Sequence, residues 1–159
     1  MIRSVAEELH PVNILAPAAD AAGRTGAYVN CAYSGKVHVR VQITQGNAAT
    51  ILLSLLQATS AAGAGSKAGP VSQIWANLDT ATNDTLARVA TDANTYTTDA
   101  GVKLKVVIFE FDASALDVAN GFQYVTVSTG ASNAANITAV TAEFIQSRYP
   151  QATPNTVVT

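Results

Sequence analysis

Residues 36–44, Lys-Val-His-Val-Arg-Val-Gln-Ile-Thr, alternate strictly between polar and apolar side chains. Successive side chains of a β-strand point to opposite faces, so this alternation predicts a strand with one face toward a core and the other toward water or a partner. A helix would spread the four apolar side chains around its circumference. The apolar positions are Val37, Val39, Val41 and Ile43. This segment therefore requires a fold that contains a sheet with a buried face.

Other segments repeat the β-type pattern at short spacing, with turn residues between them. Candidate strands lie in 49–59, 70–80, 103–112, 122–129 and 136–149, with a further strand around Tyr96. Little of the chain has a helical pattern. Seven or eight strands with short connections predict an all-β fold, an antiparallel β-sandwich or jelly roll, with a closed barrel as the alternative.

Three turns are predicted from their composition. The Tyr-Ser-Gly-Lys stretch 33–36 follows an apolar segment, so 27–44 is expected to form a hairpin. Gly46 and Asn47 tolerate positive φ, and they predict a second turn of the hairpin type. Asn120 and Gly121 predict a third tight turn.

Two of the predicted strands, 51–56 and 104–111, are apolar on both faces and should be covered on both. The inward set is predicted to be Val37, Val39, Val41, Ile43, Leu104, Val106, Ile108, Val125 and Val127. The second face of 104–111 carries Val107, Phe109 and Phe111, and it needs another cover, either a loop or a partner subunit. Phe109→Asp is therefore expected to weaken assembly and to leave the monomer folded.

The two ends of the chain lack a core pattern of their own. Residues 1–10 predict a short helix that Pro11 ends. Residues 1–25 are expected to form an extended N-terminal arm that lies on its own domain or on a neighbouring subunit, and 150–159 a C-terminal tail. The β-sandwich domain then comprises residues 26–149.

Charge is scarce in this chain and nearly balanced. Charged residues make up 13% of the sequence, about half the usual ~25%, and the formal net charge is −2. Without a basic excess, direct binding to nucleic acid is not expected. The N-terminal residues do not have the pattern of a signal peptide, and the most apolar stretch, 51–56, is too short to span a membrane. The protein is expected to be soluble and to be made in a cytoplasm.

The sequence contains no catalytic or metal-binding motif. Cys31 is the single cysteine, so it forms no intrachain disulfide and is predicted to be a small buried side chain. His38 is interpreted as a solvent or interface residue, and the spacing of Glu7 and His10 as a coincidence. The acidic residues interpreted as loop or solvated side chains are Asp79, Asp84, Glu110 and Asp112. No catalytic, cofactor-binding or metal-ligating residue is assigned, and no cofactor is expected.

Four phrases of the sequence carry a resemblance: QGNAAT, LLQAT, IWANLDTA and STGASNAANIT. As a set they resemble small virion structural proteins of tailed bacteriophages, which coat or stabilise the head, over about residues 15–153. The resemblance implies a non-enzymatic, β-rich module of the virion, made in the host bacterial cytoplasm. Its implied partners are further copies of itself, as a homo-oligomer taken to be a trimer, and the phage major capsid protein.

Alternatives to this reading remain open at the level of sequence. A β-sandwich binding module for carbohydrate or another small ligand is the second hypothesis, and it would need aromatic side chains, such as Trp75, clustered on one exposed face. An enzyme is the third. The repeated Asn-Ala-Ala turns, 47–49 and 133–135, are either compact contact tips or no more than good turns.

Overall fold

Residues 9–147, which the computed structural model describes, form two antiparallel β-sheets that pack face to face. The strands are β1 (Leu9–Ala19), β2 (Arg24–Thr25), β3 (Val29–Asn30), β4 (Ser34–Gln45), β5 (Leu52–Ala58), β6 (Lys67–Ala68), β7 (Gln73–Asn77), β8 (Ala87–Arg88), β9 (Thr95–Thr97), β10 (Leu104–Asp112), β11 (Tyr124–Thr129) and β12 (Asn136–Ser147). Two 3-10 turns, Ala113–Ala115 and Val118–Asn120, lie between β10 and β11.

The first sheet, sheet A, has the strand order β1-β12-β4-β10-β7-β8, and the second, sheet B, has the order β2-β11-β5-β6. In sheet B, β3 also pairs with β11 and β9 with β5. The chain crosses between the sheets repeatedly, passing from β4 to β5, then to β7, and later from β10 through β11 to β12. Long non-local pairings of this kind are typical of Greek-key sandwiches and jelly rolls. The predicted all-β antiparallel sandwich is therefore confirmed.

The core lies between the two sheets and is supplied mainly by β4, β10 and β12 on one side and β5 and β11 on the other. The alternating side chains of β4 are buried as predicted, and so are two from β11: Val37, Val39, Val41, Ile43, Val125 and Val127. Fully burying one such aliphatic side chain contributes about 1.5–3 kcal/mol. A continuous apolar layer from five strands is therefore the main stabilising feature of the fold.

The prediction for β10 is wrong about which face is buried. Phe109 lies opposite Val39 in the register and is fully buried, whereas Leu104 is 46% exposed. The members of the core set are Val107, Phe109 and Phe111, and the outer set is Leu104, Val106 and Ile108, of which Ile108 alone is buried. Both sets are apolar, so alternation within β10 does not choose between them. The register with β4 makes that choice.

The predicted hairpin over 27–44 is also wrong. Val29 and Asn30 pair with β11 in sheet B, whereas β4 pairs with β12 and β10 in sheet A. The turn between them is closed by the N–H of Ser34, which donates to the carbonyl of Cys31 at 3.1 Å. Turn residues predict that the chain reverses, but they carry no information about which sheet the next strand joins.

The described part of the predicted arm, residues 9–25, lies on its own domain. β1 pairs with β12 along most of its length, and β2 pairs with β11. Leu9 and His10 belong to β1 and not to a helix. The rest of the predicted helix, 1–8, and the predicted tail, 150–159, lie outside the described residues.

Candidate interaction surface

The two Asn-Ala-Ala turns are built by the same hydrogen bond. The N–H of Ala49 donates to Oδ1 of Asn47 at 2.9 Å, and the N–H of Ala135 donates to Oδ1 of Asn133 at 2.9 Å. An asparagine side chain that accepts from the backbone two residues later forms an Asx turn. The repeated phrase therefore encodes one local structure twice.

The two turns lie side by side and Asn136 joins them. Its Oδ1 accepts from the N–H of Asn47 at 2.8 Å, and its Nδ2 donates to the carbonyl of Ala49 at 2.8 Å. A Cβ on Gly46 would lie 2.5 Å from the carbonyl oxygen of Ala135, so close approach is what requires glycine there. The predicted positive φ at Gly46 is not observed, and the turn leads from sheet A to sheet B and does not close a hairpin.

An arginine covers part of one of the two edges of sheet A. β1 is the edge strand, and Arg24 donates from Nη1 to the carbonyl of Ala16 and from Nη2 to that of Ala18, both at 2.8 Å. The carbonyl of Ile14 accepts from the N–H of Ala27 at 2.7 Å. An unpaired strand edge is a template for another chain. The carbonyls of Ile14, Ala16 and Ala18 already accept hydrogen bonds, so they are not available to pair with an added strand.

A buried carboxylate holds the edge arginine in place. Asp20 is fully buried, and its Oδ1 accepts from Nε of Arg24 at 3.0 Å and from Oγ1 of Thr129 at 2.7 Å. Arg24 also donates to the backbone and side-chain oxygens of Thr138. The guanidinium thus connects the edge strand to β12 and to the corner between the two sheets. The sequence contains no signal for the whole cluster, because Thr129 and Thr138 are more than 100 residues away from Asp20 and Arg24.

One half of the outer face of sheet A is apolar, and we call it the outer apolar patch. It consists of Pro17, Leu104, Val106, Ile137 and Ala139, which line a depression of about 330 Å³ together with Gln42 and Thr44. Leu104 and Ile137 flank Thr44 in the register and are 46% and 39% exposed. The outer apolar patch therefore presents aliphatic side chains on β12 and β10, on either side of the polar Gln42 and Thr44 of β4.

The other half of the same face carries a balanced set of charges, the charged patch, made of Lys36, His38, Arg40, Glu110 and Glu143. Glu110 accepts from Nζ of Lys36 at 2.9 Å, and this hydrogen bond raises the pKa of the lysine. Glu143 contacts His38 Nδ1 at 3.1 Å and also pairs with Arg40. Opposite charges alternate across three strands, so the patch has internal partners for each sign.

A buried lysine lies below the outer apolar patch, on the core side of β10. Lys105 donates from Nζ to Oε1 of Gln45 at 2.8 Å and to the carbonyl of Asp99 at 3.1 Å, and it pairs with the carboxylate of Asp99. The hydrogen bond from Lys105 lowers the pKa of Asp99. These contacts tie the loop before β10 to the end of β4. Lys105 shares the core side of β10 with Val107 and Phe109, because Leu104 lies on the outer face.

The other residues singled out in the sequence do not converge on one site. Cys31 is buried as predicted, and burial raises the pKa of its thiol well above the usual range. Asp79 pairs with Lys103 at 2.7 Å, which lowers the pKa of the carboxyl, and Asp84 and Asp112 are exposed. His10 stacks on Phe144, and Glu7 lies outside the described residues. Across residues 9–147 no group of three or more His, Cys, Asp and Glu side chains could hold a metal ion.

The aromatic side chains are distributed over both sheets. Trp75 lies in β7 of sheet A, opposite Ile108, whereas Tyr96 and Tyr124 lie in strands of sheet B. Tyr28 is buried, with its hydroxyl 2.5 Å from that of Ser66. The structure thus separates Trp75 from these tyrosines.

In the part of the chain that is described, no helix is long and apolar enough to cross a membrane.

Comparison with known proteins assigns no family to the chain. No protein-family model matches it, and no curated protein matches it. Among solved structures it is similar to the SPBc2 prophage-derived protein YomS, with 10% identity, a TM-score of 0.49, and coverage of 87% of this chain and 93% of that one.

Two further solved structures are similar over most of their length. A chain of the cowpea mosaic virus top component, naturally occurring empty particles, has 11% identity and a TM-score of 0.44, covering 91% of this chain and 92% of that one. The PRD1 vertex protein has 10% identity and a TM-score of 0.38, covering 86% and 96%. TM-scores below 0.5 assign neither a shared fold nor a function.

Proposed function

We propose that the chain is a non-enzymatic structural protein of a tailed-bacteriophage virion, of the type that decorates or stabilises the head. The observation that carries the proposal is the outer face of sheet A, where the outer apolar patch adjoins the charged patch. The sequence phrases that resemble small virion structural proteins support the same role. In this proposal the protein is made in the host bacterial cytoplasm and works in the virion, through contacts with copies of itself and with the major capsid protein.

The chemistry of the surface supports a protein partner. Placing the outer apolar patch against another protein costs little desolvation of charge, because none of its five members is charged. Arg24 occupies carbonyls on the β1 edge of sheet A, so a partner that adds a strand along 14–18 is disfavoured. A flat or shallow face that carries exposed aliphatic side chains is the surface type used in protein–protein contacts. The proposed oligomer is closed and symmetric, and it is taken to be a trimer.

The depression in the outer apolar patch favours a second candidate function. Its volume, about 330 Å³, is at the lower end of the range for small-molecule sites, and Gln42 and Thr44 add polar groups to an aliphatic lining. The alternative is therefore a binding module for carbohydrate or another small ligand. A thermal-shift screen with a panel of mono- and oligosaccharides tests it, and a saturable rise in Tm that Gln42→Ala abolishes would favour this alternative.

Co-sedimentation with phage heads tests the proposed function. Purified protein is mixed with heads of the phage that encodes the chain and is pelleted, with protein alone and heads of an unrelated phage as controls. Saturable pelleting with the cognate heads only is the expected result. A protein that stays in the supernatant at every concentration, while remaining folded, contradicts the virion role.

A further inference from the structure

We propose that Lys105, Asp99 and Gln45 form a charge-dependent latch, which holds the loop 98–103 closed against the end of β4. This latch is a conformational device of the fold, and it is independent of the virion role. The side chain of Lys105 is completely buried although it carries an ammonium group. Burying a charge is costly unless the charge is paired and hydrogen-bonded, so the groups around Lys105 decide which local structure is stable.

Three oxygen atoms surround the ammonium group of Lys105, and two of them belong to Asp99. Nζ donates to Oε1 of Gln45 at 2.8 Å and to the carbonyl of Asp99 at 3.1 Å, and it pairs with the Asp99 carboxylate. Among residues 9–147, Asp99 is the acid with which Lys105 forms an ion pair, and its side chain is 51% exposed. The charge that compensates the buried lysine therefore comes from a surface loop and not from the sheet.

The same contacts fix the course of the loop. Nε2 of Gln45 donates to the carbonyl of Asp99 at 2.8 Å and to that of Ala49 at 3.3 Å. The Asp99 carboxylate also accepts from the N–H of Gly101 at 2.9 Å. Gln45 thus joins the loop 98–103 to the Asn-Ala-Ala turn 47–49, and Lys105 holds Gln45 and Asp99 together.

The negative charge of Asp99 stabilises the closed loop. With a neutral side chain at position 99, the ammonium group of Lys105 would be buried among uncharged oxygens only. Removing one partner of a buried ion pair costs far more than replacing both, because the remaining charge is left uncompensated. Opening of the loop admits water to the ammonium group and relieves this cost. The pairing of β10 with β4 does not involve the loop, so the opening is local.

The other titratable groups around the latch do not replace Asp99. Lys103 has the same sign as Lys105, and it pairs with Asp79 at 2.7 Å. Burial and the charge of Asp99 raise the pKa of Tyr96, so this phenol is neutral at pH 7. The hydrogen bond from Lys105 is the main cause that lowers the pKa of Asp99 below 3.8. The latch is therefore closed at neutral pH, and it opens as the pH falls through this lowered pKa.

Three variants separate the latch from a general loss of stability. Asp99→Asn removes the charge and keeps the shape of the side chain. Asp79→Asn removes the same charge from the surface pair with Lys103, and it is the matched control. The double variant, Asp99→Asn with Lys105→Met, also removes the buried ammonium group, so no uncompensated charge remains. Circular dichroism at pH 7 establishes that each protein is folded.

Backbone order parameters from ¹⁵N relaxation at pH 7 give the readout, because they report local order in the folded state. The N–H groups of residues 99–102 should have values of about 0.85 in wild type and Asp79→Asn, and below about 0.6 in Asp99→Asn. The double variant should return to the wild-type values, and β4 and β12 should stay rigid in all four proteins. If the loop is as rigid in Asp99→Asn as in wild type, the latch is overturned. If the double variant is as mobile as Asp99→Asn, the buried charge is not what opens the loop, and the latch is overturned as well.

Discussion

Phe109 lies directly opposite Val39 in the pairing of β10 with β4, and both side chains are completely buried between the sheets. The pairing places one face of β10 in the core and leaves Leu104 on the surface. The expectation that Phe109→Asp leaves the monomer folded is therefore wrong, because a carboxylate at this position would be buried without a partner.

Shortening a side chain on the buried face of β10 should lower the free energy of unfolding far more than shortening one on the outer face. Phe109→Ala is expected to lower the free energy of unfolding by about 3–5 kcal/mol, and Val39→Ala by about 1–3 kcal/mol, because each leaves a cavity in a close-packed core. Leu104→Ala is the matched control on the outer face, and it should stay within about 1 kcal/mol of wild type. Urea unfolding of the three variants measures these differences. Equal costs at positions 104 and 109 would contradict the assigned register.

The contacts of Arg24 predict that lysine at this position lowers the stability of the fold. Arg24→Lys loses the forked contacts to the carbonyls of Ala16 and Ala18 and leaves Asp20 buried with a weaker partner. A loss of about 1–3 kcal/mol in the free energy of unfolding is expected. Arg88→Lys is the control, since Arg88 pairs with Asp92 on the exposed surface, and it should change the stability by less than about 0.5 kcal/mol. Equal losses of stability for the two substitutions would show that the contacts of Arg24 do not stabilise this edge.

The two adjoining Asn-Ala-Ala turns predict that Asn136 contributes more to stability than Asn133. Asn136→Asp keeps an acceptor for the N–H of Asn47 but loses the donor to the carbonyl of Ala49, which should cost about 1–3 kcal/mol. Asn133→Asp keeps the one hydrogen bond that forms its Asx turn and should be nearly neutral. Thermal unfolding of both variants at neutral pH checks this. Equal changes in Tm would show that Asn136 does not join the turns.

The ion pair of Lys105 predicts a dependence of stability on pH. The folded state lowers the pKa of Asp99 from its usual value of 3.8, so the pair contributes stability above that value and loses it as the pH falls through the lowered pKa. Asp99→Asn should cost about 1–2 kcal/mol at pH 7, a modest figure because Asp99 is 51% exposed. The gap between wild type and the variant should close in the acid range below the lowered pKa.

Urea unfolding at a series of pH values measures this gap. Asp79→Asn removes the partner of Lys103 at the surface, and it serves as a control that should change stability less at pH 7. A gap for Asp99→Asn that stays constant down to the lowest pH would show that the carboxylate charge is not what stabilises Lys105.

The sequence predicts the parts of this fold that are local and leaves out those that depend on distant residues. The alternation of β4 specifies a strand and its buried face, because only one of its two faces is apolar. β10 is apolar on both faces, so its orientation depends on pairing with β4, whose partners lie 60 to 76 residues earlier in the chain. Arg24, Asp20 and Thr129 form one cluster only after the two sheets meet, and no spacing in the sequence indicates it. The outer apolar patch is missed for the same reason, since its members come from three strands and a misassigned β10 hides Leu104.

The mass of the wild-type protein in solution tests the central claim, that this chain works by assembling with copies of itself. Light scattering on the purified protein across a wide range of concentration should give a whole-number multiple of the 16.4 kDa chain mass, with a trimer as the expected state. A mass of 16.4 kDa at every concentration, together with no binding to phage heads, would contradict the account and leave the small-ligand module as the better explanation.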